Sequence, residues 1–164
     1  MTVKDVKEVC VAETPWSAIP GPEYYDPGSV RNAFERLLDP ASSARDAAAG
    51  LRRAVGNDHA GTLYPAAVMA TGELIKLIEA NPGRRREIAI SVLLDWWGMF
   101  QAEPGYEVFV DSDRETVELI PAIIELVESA RPVIAGVAIS DPVAAKKAEL
   151  LLKCLDTGWV ALDY

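Results

Sequence analysis

The chain has 164 residues, half of them hydrophobic and a quarter charged, with a net charge of −9. That length supports one domain with its own core, and the composition excludes disorder. The acidity argues against nucleic acid as a direct partner, because phosphate binding needs a basic surface.

Residues 1–28 carry no helical pattern and are expected to form an N-terminal arm and cap; residues 29–164 are expected to form a single helical domain. Val3, Val6, Val9 and Val11 suit a short extended arm. The opening segment alternates charged and apolar residues and holds no signal-peptide apolar run. Cys10 and Cys154 match no metal spacing and read as reduced thiols of a cytoplasmic protein. No apolar run is long enough to span a bilayer, so no membrane partner is expected. Trp16, Tyr24 and Tyr25 are expected to pack as a lid over the first helices.

Ser29 predicts an N-cap for a helix carrying Val30, Ala33, Phe34, Leu37 and Leu38 at helical spacing. Asp39-Pro40 predicts the end of that helix and the start of the next, which carries Ala44, Ala47, Ala48, Leu51 and Val55. Residues 56–63 read as a loop. A third helix carries Tyr64, Ala67, Val68, Thr71, Leu74, Ile75 and Ile78, and Asn81-Pro82-Gly83 ends it. Residues 84–105 follow as a central helix, apolar on most of its circumference and therefore buried. Glu103 to Asp113 reads as an irregular connection. Asp113 predicts the cap of a fifth helix with Val117, Ile120, Ile124 and Val127 in register; Pro121 and Pro132 predict a kink or a split in it. A last helix carries Val143 to Leu155 and ends at Gly158. No strand pattern competes with an all-α reading.

Three times an apolar helix runs into Asp-Pro or Asn-Pro and a second helix follows with an early basic residue: Arg45, Arg86 and Lys147. Asp39 and Asn81 are 42 residues apart, within the roughly 40–47 residues of a HEAT-type helical pair. The expected fold is a HEAT-like solenoid of about three antiparallel helix pairs, its basic residues bridging to the cap aspartates of neighbouring pairs.

On Trp16 and the run His59, Gly61, Thr62, Tyr64, Pro65 and Ala66, the chain resembles the small bacterial HEAT-like repeat proteins over roughly residues 16–100. Some members of that group look like immunity proteins that neutralise a toxin encoded beside them. The resemblance thus implies a helical repeat fold and a toxin-blocking role.

Three features bear on chemistry. His59 is the sole histidine, with no nucleophile elbow, phosphate loop or His/Cys pair at metal spacing to accompany it. It reads as a loop cap together with Thr62, and no cofactor, metal or catalytic residue is expected. Asp95, Trp96 and Trp97 read either as core or, with Tyr64, as a groove suited to a cation or a small molecule. One tryptophan should be core and the other should reach the groove or the neighbouring pair. Glu103, Tyr106, Glu107, Phe109, Asp111, Asp113, Glu115 and Glu118 read either as a solvated surface or as a docking surface for a basic protein partner. The expectation is a non-enzymatic protein-binding module, with small-molecule binding near Asp95 and Trp96 as the alternative. The sequence leaves the oligomeric state open; Trp159, Leu162 and Tyr164 read either as a cap on the fold or as a contact with a second copy.

Overall fold

The computed structural model describes residues 15–161. The expectations for residues 1–14, Cys10 and the valine arm among them, and for Leu162 and Tyr164 lie outside the described residues.

The described chain is mostly helical. After a single 3-10 turn, Trp16–Ala18, come α1 (Pro27–Leu38), α2 (Ala44–Val55), α3 (Ala66–Ala80), α4 (Arg84–Trp96), α5 (Leu119–Ser129), α6 (Arg131–Ser140) and α7 (Ala145–Thr157). Three pairs pack closely, α1 with α2, α3 with α4, and α6 with α7. The turns between partners are short, which sends each second helix back along the first. The second helices form a row, α2 against α4 and α4 against α7. This places α4 between neighbours on both sides and explains why Ile88, Ile90, Val92 and Leu93 are all buried although they point in different directions around it. The extra helix α5 packs on α3 and belongs to none of these three pairs.

Local chemistry sets the boundaries and corrects several expectations. Helix α1 starts at Pro27, not Ser29: the Asp26 carboxylate accepts from Gly28 N at 3.0 Å and from the Ser29 hydroxyl at 2.8 Å, and Pro27 takes the first helical position. Asp39 closes α1 but does not open α2; its carboxylate accepts from Ala41 N, and Ser43 caps α2 by accepting from Asp46 N. Helix α4 stops at Trp96 because Gly98 turns the chain with φ 72°. The expected fifth helix is split at Ala130 into α5 and α6, with Pro132 in the first turn of α6, where its missing N–H costs nothing.

Strands are present, contrary to the expectation. Residues Gly56–Asn57 (β1) and Thr62–Leu63 (β2) pair antiparallel, and Gln101–Ala102 (β3), the exit from α4, joins β2 in parallel. Val108–Val110 (β4) and Thr116–Glu118 (β5) form a separate antiparallel ribbon. The stretch expected as an irregular connection, Glu103 to Asp113, therefore contains a turn at Gly105 with φ 90° and strand β4, while β3 replaces the expected end of the central helix and β5 the expected start of the fifth. Asp113 sits in the ribbon's loop, and Glu118, not Asp113, precedes α5.

Asp141 joins the second pair to the third. It is 6% exposed. One carboxylate oxygen accepts from Gly83 N at 2.8 Å and Arg86 Nη1 at 3.0 Å; the other accepts from Val143 N and Ala144 N. The Arg86 guanidinium also donates to the Ile78 and Glu79 carbonyls at the end of α3. This is the expected link from a basic residue to the next pair's cap aspartate. Lys147 instead meets the Ser91 hydroxyl and Glu87, and Arg45 is exposed.

Candidate functional site

The ribbon alternates its side chains between two faces, as a two-residue period requires. Phe109 pairs with Val117 and both turn inward, half-buried, with Phe109 packed against the core. The neighbouring pairs, Val108 with Glu118 and Val110 with Thr116, turn outward. Val108 is 50% exposed and Val110 56%, so two β-branched side chains stand in solvent where a free-standing surface would carry polar ones.

The loop between the strands is built by one carboxylate. Asp111 Oδ1 accepts from the backbone N–H groups of Asp113 and Glu115, both at 2.9 Å, and Asp111 N donates to Glu115 O. Arg114 then takes the left-handed conformation, φ 61°, that lets the turn close. Leu119 N donates to Glu107 O at the other end, tying the ribbon to the start of α5. The result is a fixed platform on which Glu107, Asp113, Glu115 and Glu118 are all exposed around Val108 and Val110. From Glu107 to Glu118, five carboxylates face one cation, Arg114.

Glu103 belongs elsewhere, and Tyr106, half-buried with its N–H donated to Glu103 O, precedes the ribbon. Glu103 is half-buried and clamped: Tyr24 OH donates to its Oε1 at 2.7 Å, the Thr62 hydroxyl donates to its Oε2, and its N–H donates to Leu63 O. It fastens the α4 exit to the loop after α2. The hydrogen bond to Glu103, before burial, raises the Tyr24 hydroxyl above its ordinary range. Tyr64 is buried beside Tyr24 and Tyr25, and burial pushes it up to about 12. Tyr25 OH donates to Trp16 O, and Trp16 stacks on Phe34 at 5.7 Å, so the expected aromatic lid has a seal beneath it. His59 is exposed and makes no hydrogen bond among the described residues, while Thr62 bonds Glu103; neither caps a helix.

The expected groove is divided as well. Trp96 is fully buried in the core and Tyr64 lies on a different surface beside Asn57 and His59. Asp95 and Trp97 do line an open groove of about 640 Å³ between α2, α4 and α7, with Arg52, Ser91, Met99 and Lys147. Asp95 Oδ2 accepts from Arg52 Nη1 at 3.3 Å, and Arg52 Nε lies 3.1 Å from Asp58. Burial holds the Asp95 carboxyl above the usual range; Arg52 and Lys147 oppose that shift. Both tryptophans are buried. Trp97, 2% exposed, donates from Nε1 to Gly158 O at 2.7 Å and packs on Trp159 at 4.9 Å, while Trp159 donates to Phe100 O. These reciprocal bonds hold the segment after α7 across the α4 exit.

One signal for the ribbon is present in the sequence, the β-favouring run Val108-Phe109-Val110. It is only three residues long, and Val117 falls in register with the apolar positions of α5. Among the described residues, no three His, Cys, Asp or Glu side chains converge as a metal-holding group, and no helix is long and apolar enough to cross a membrane. No known protein family, curated protein or solved structure matches this chain.

Proposed function

We propose that this chain is a non-enzymatic protein-binding module whose acidic ribbon docks a basic protein partner. The observation that carries the reading is the exposure of Val108 and Val110 on a ribbon that also exposes Glu107, Asp113, Glu115 and Glu118 and whose loop is fixed by Asp111. Exposed apolar side chains supply contact area, and the surrounding charge steers a basic partner and rejects an acidic one. Stacked helix pairs in a short HEAT-like solenoid would suit this role, since each pair adds rigid surface; the α2–α4–α7 row supports that arrangement. The resemblance to small bacterial HEAT-like repeat proteins, some of which look like immunity proteins, makes a toxin the proposed partner, blocked by steric occlusion in the cytoplasm.

The test is recovery of the partner from the native host, followed by binding with purified components. A single basic protein whose toxicity the chain relieves supports the reading. Failure to recover one, together with no relief by the chain of toxicity from any neighbouring gene product, contradicts it. The second reading, a small molecule in the Asp95 groove, draws on the two cations and the Trp97 and Met99 side chains lining it. In that groove, however, Arg52 is already engaged by Asp58 and Asp95, and Lys147 by Ser91.

A further inference from the structure

Beneath the ribbon the surface folds into a hollow of about 280 Å³ with almost wholly apolar walls. The walls come from segments far apart in sequence: Ile19 and Pro20 before α1, Val68 and Met69 in α3, and Phe109 and Val117 on the inward face of the ribbon. Gly72 also lines it. That glycine sits inside α3, where it costs about 1 kcal/mol relative to alanine. It has no positive φ to require it, and a Cβ there would meet nothing within 4 Å. Its effect is to leave the hollow open. The hollow lies at the lower edge of the roughly 300–1,000 Å³ typical of small-molecule sites, room for one or two side chains.

Two carboxylates, Asp111 and Glu73, and one cation, Lys76, line the hollow. Asp111, which builds the ribbon loop, lines the hollow, and the acidic loop continues from it through Asp113 and Glu115. Glu73 also lines it, paired with Lys76 at 3.0 Å. The geometry points to this hollow, on the inward side of the ribbon and opposite Val108 and Val110, as an anchor pocket for the same basic partner. It takes one bulky apolar side chain from an exposed segment of the basic partner, with adjacent Lys or Arg side chains reaching Asp111 and the ribbon carboxylates. Charge complementarity selects that occupant, since a neutral apolar segment would leave those carboxylates unpaired and an acidic one would be repelled. The inference rests on the docking reading above and names the chemistry of its partner.

The test uses a displayed library of random 12-residue peptides, selected against the full chain and re-measured against Gly72→Leu. Leucine is a strong helix former and fills the hollow, so this variant should keep or raise the melting temperature. The enriched peptides should share a large apolar residue flanked by Lys or Arg. They should bind Gly72→Leu at least about tenfold more weakly, as expected when an anchor residue loses its pocket. Met69→Arg, which places a cation at the mouth on a partly exposed side chain, should weaken them likewise and serves if Gly72→Leu does not fold. Basic peptides without an apolar anchor, bound equally by both variants, overturn the pocket and leave the docking reading standing. Enriched peptides with no basic residues overturn both. A chain that proves to be a dimer dissociated by Gly72→Leu also overturns the inference, because a second copy then fills the hollow.

Discussion

Replacing Asp141 by alanine tests how the helix pairs are joined. The wild-type carboxylate is 6% exposed and accepts four hydrogen bonds, two from its own turn, one from Gly83 and one from Arg86. Alanine removes the two N–H bonds by which the carboxylate closes the turn before α7, comparable to a helix cap at about 0.5–2 kcal/mol, and leaves a largely buried Arg86 without its carboxylate. Breaking a buried ion pair from one side costs about 3–5 kcal/mol. Here Arg86 keeps the Ile78 and Glu79 carbonyls, so the pair contributes less than that range and a total near 3 kcal/mol is expected. For a chain of this size that is a fall of roughly 6–12 °C in melting temperature. The pH dependence has a defined sign. The Gly83 N–H, then Arg86 and the N–H groups of Ala144 and Val143, hold the Asp141 carboxyl below its ordinary value of 3.8 in the folded state. The unfolded chain therefore takes up the proton first as pH falls. The stabilisation is complete above about pH 4–5 and is lost as pH drops through the depressed folded value. Urea unfolding of wild type and Asp141→Ala, followed by far-UV circular dichroism from pH 7 to pH 2.5, measures both effects; the gap between the curves should narrow only at the acid end. A loss below about 1 kcal/mol at pH 7 with an unchanged denaturant slope, or a gap independent of pH, would refute the reasoning. A double-mutant cycle with Arg86→Met should give a coupling of about 1–3 kcal/mol.

Trp96→Ala should cost about 3–5 kcal/mol, because the ring is fully buried at the centre of the core; chemical denaturation measures it. Gly98→Ala should dislodge the segment after α7. Its φ of 72° alone costs about 1–2 kcal/mol in a non-glycine residue, and the added Cβ would lie 2.2 Å from Val160 C and Ala161 N; a red shift in tryptophan emission as Trp159 leaves Trp97 reports the release. Charge reversal at Asp113 and Glu115 should change stability by no more than about 0.5 kcal/mol, as both are exposed. It should slow association with a basic partner and flatten its salt dependence, measured by stopped-flow mixing.

The three helix pairs were legible because Asp-Pro and Asn-Pro punctuate the chain and apolar residues recur at 3.6-residue spacing between them. The bridge from Arg86 to Asp141 followed from the same repeat. Boundaries were less legible where two signals stood close together: Asp26-Pro27 and Ser29 both announce a helix start, and the first prevailed because it supplies a cap side chain and a proline at the first helical position. The ribbon was hidden since its strands are three residues long, too short for alternation to show, and Val117 continued the helical register of α5. Of the expected docking residues, Glu107, Phe109, Asp111, Asp113, Glu115 and Glu118 belong to one ribbon. Glu103 is drawn away by Thr62 and Tyr24 from distant segments, a contact no local pattern encodes. The expected groove failed to gather for a related reason. Tyr64 precedes α3 and packs under Tyr24, whereas Trp96 faces the core, and only Asp95 and Trp97 share a surface. The apolar hollow was invisible because its walls come from segments with no sequence relation.

The most direct test of the docking account is amide hydrogen exchange on the full chain with and without its purified partner. The account predicts protection concentrated in residues 107–118 and at the start of α3, with the groove formed by α2, α4 and α7 unchanged. Protection confined to that groove, with the ribbon exchanging as in the free chain, would contradict it.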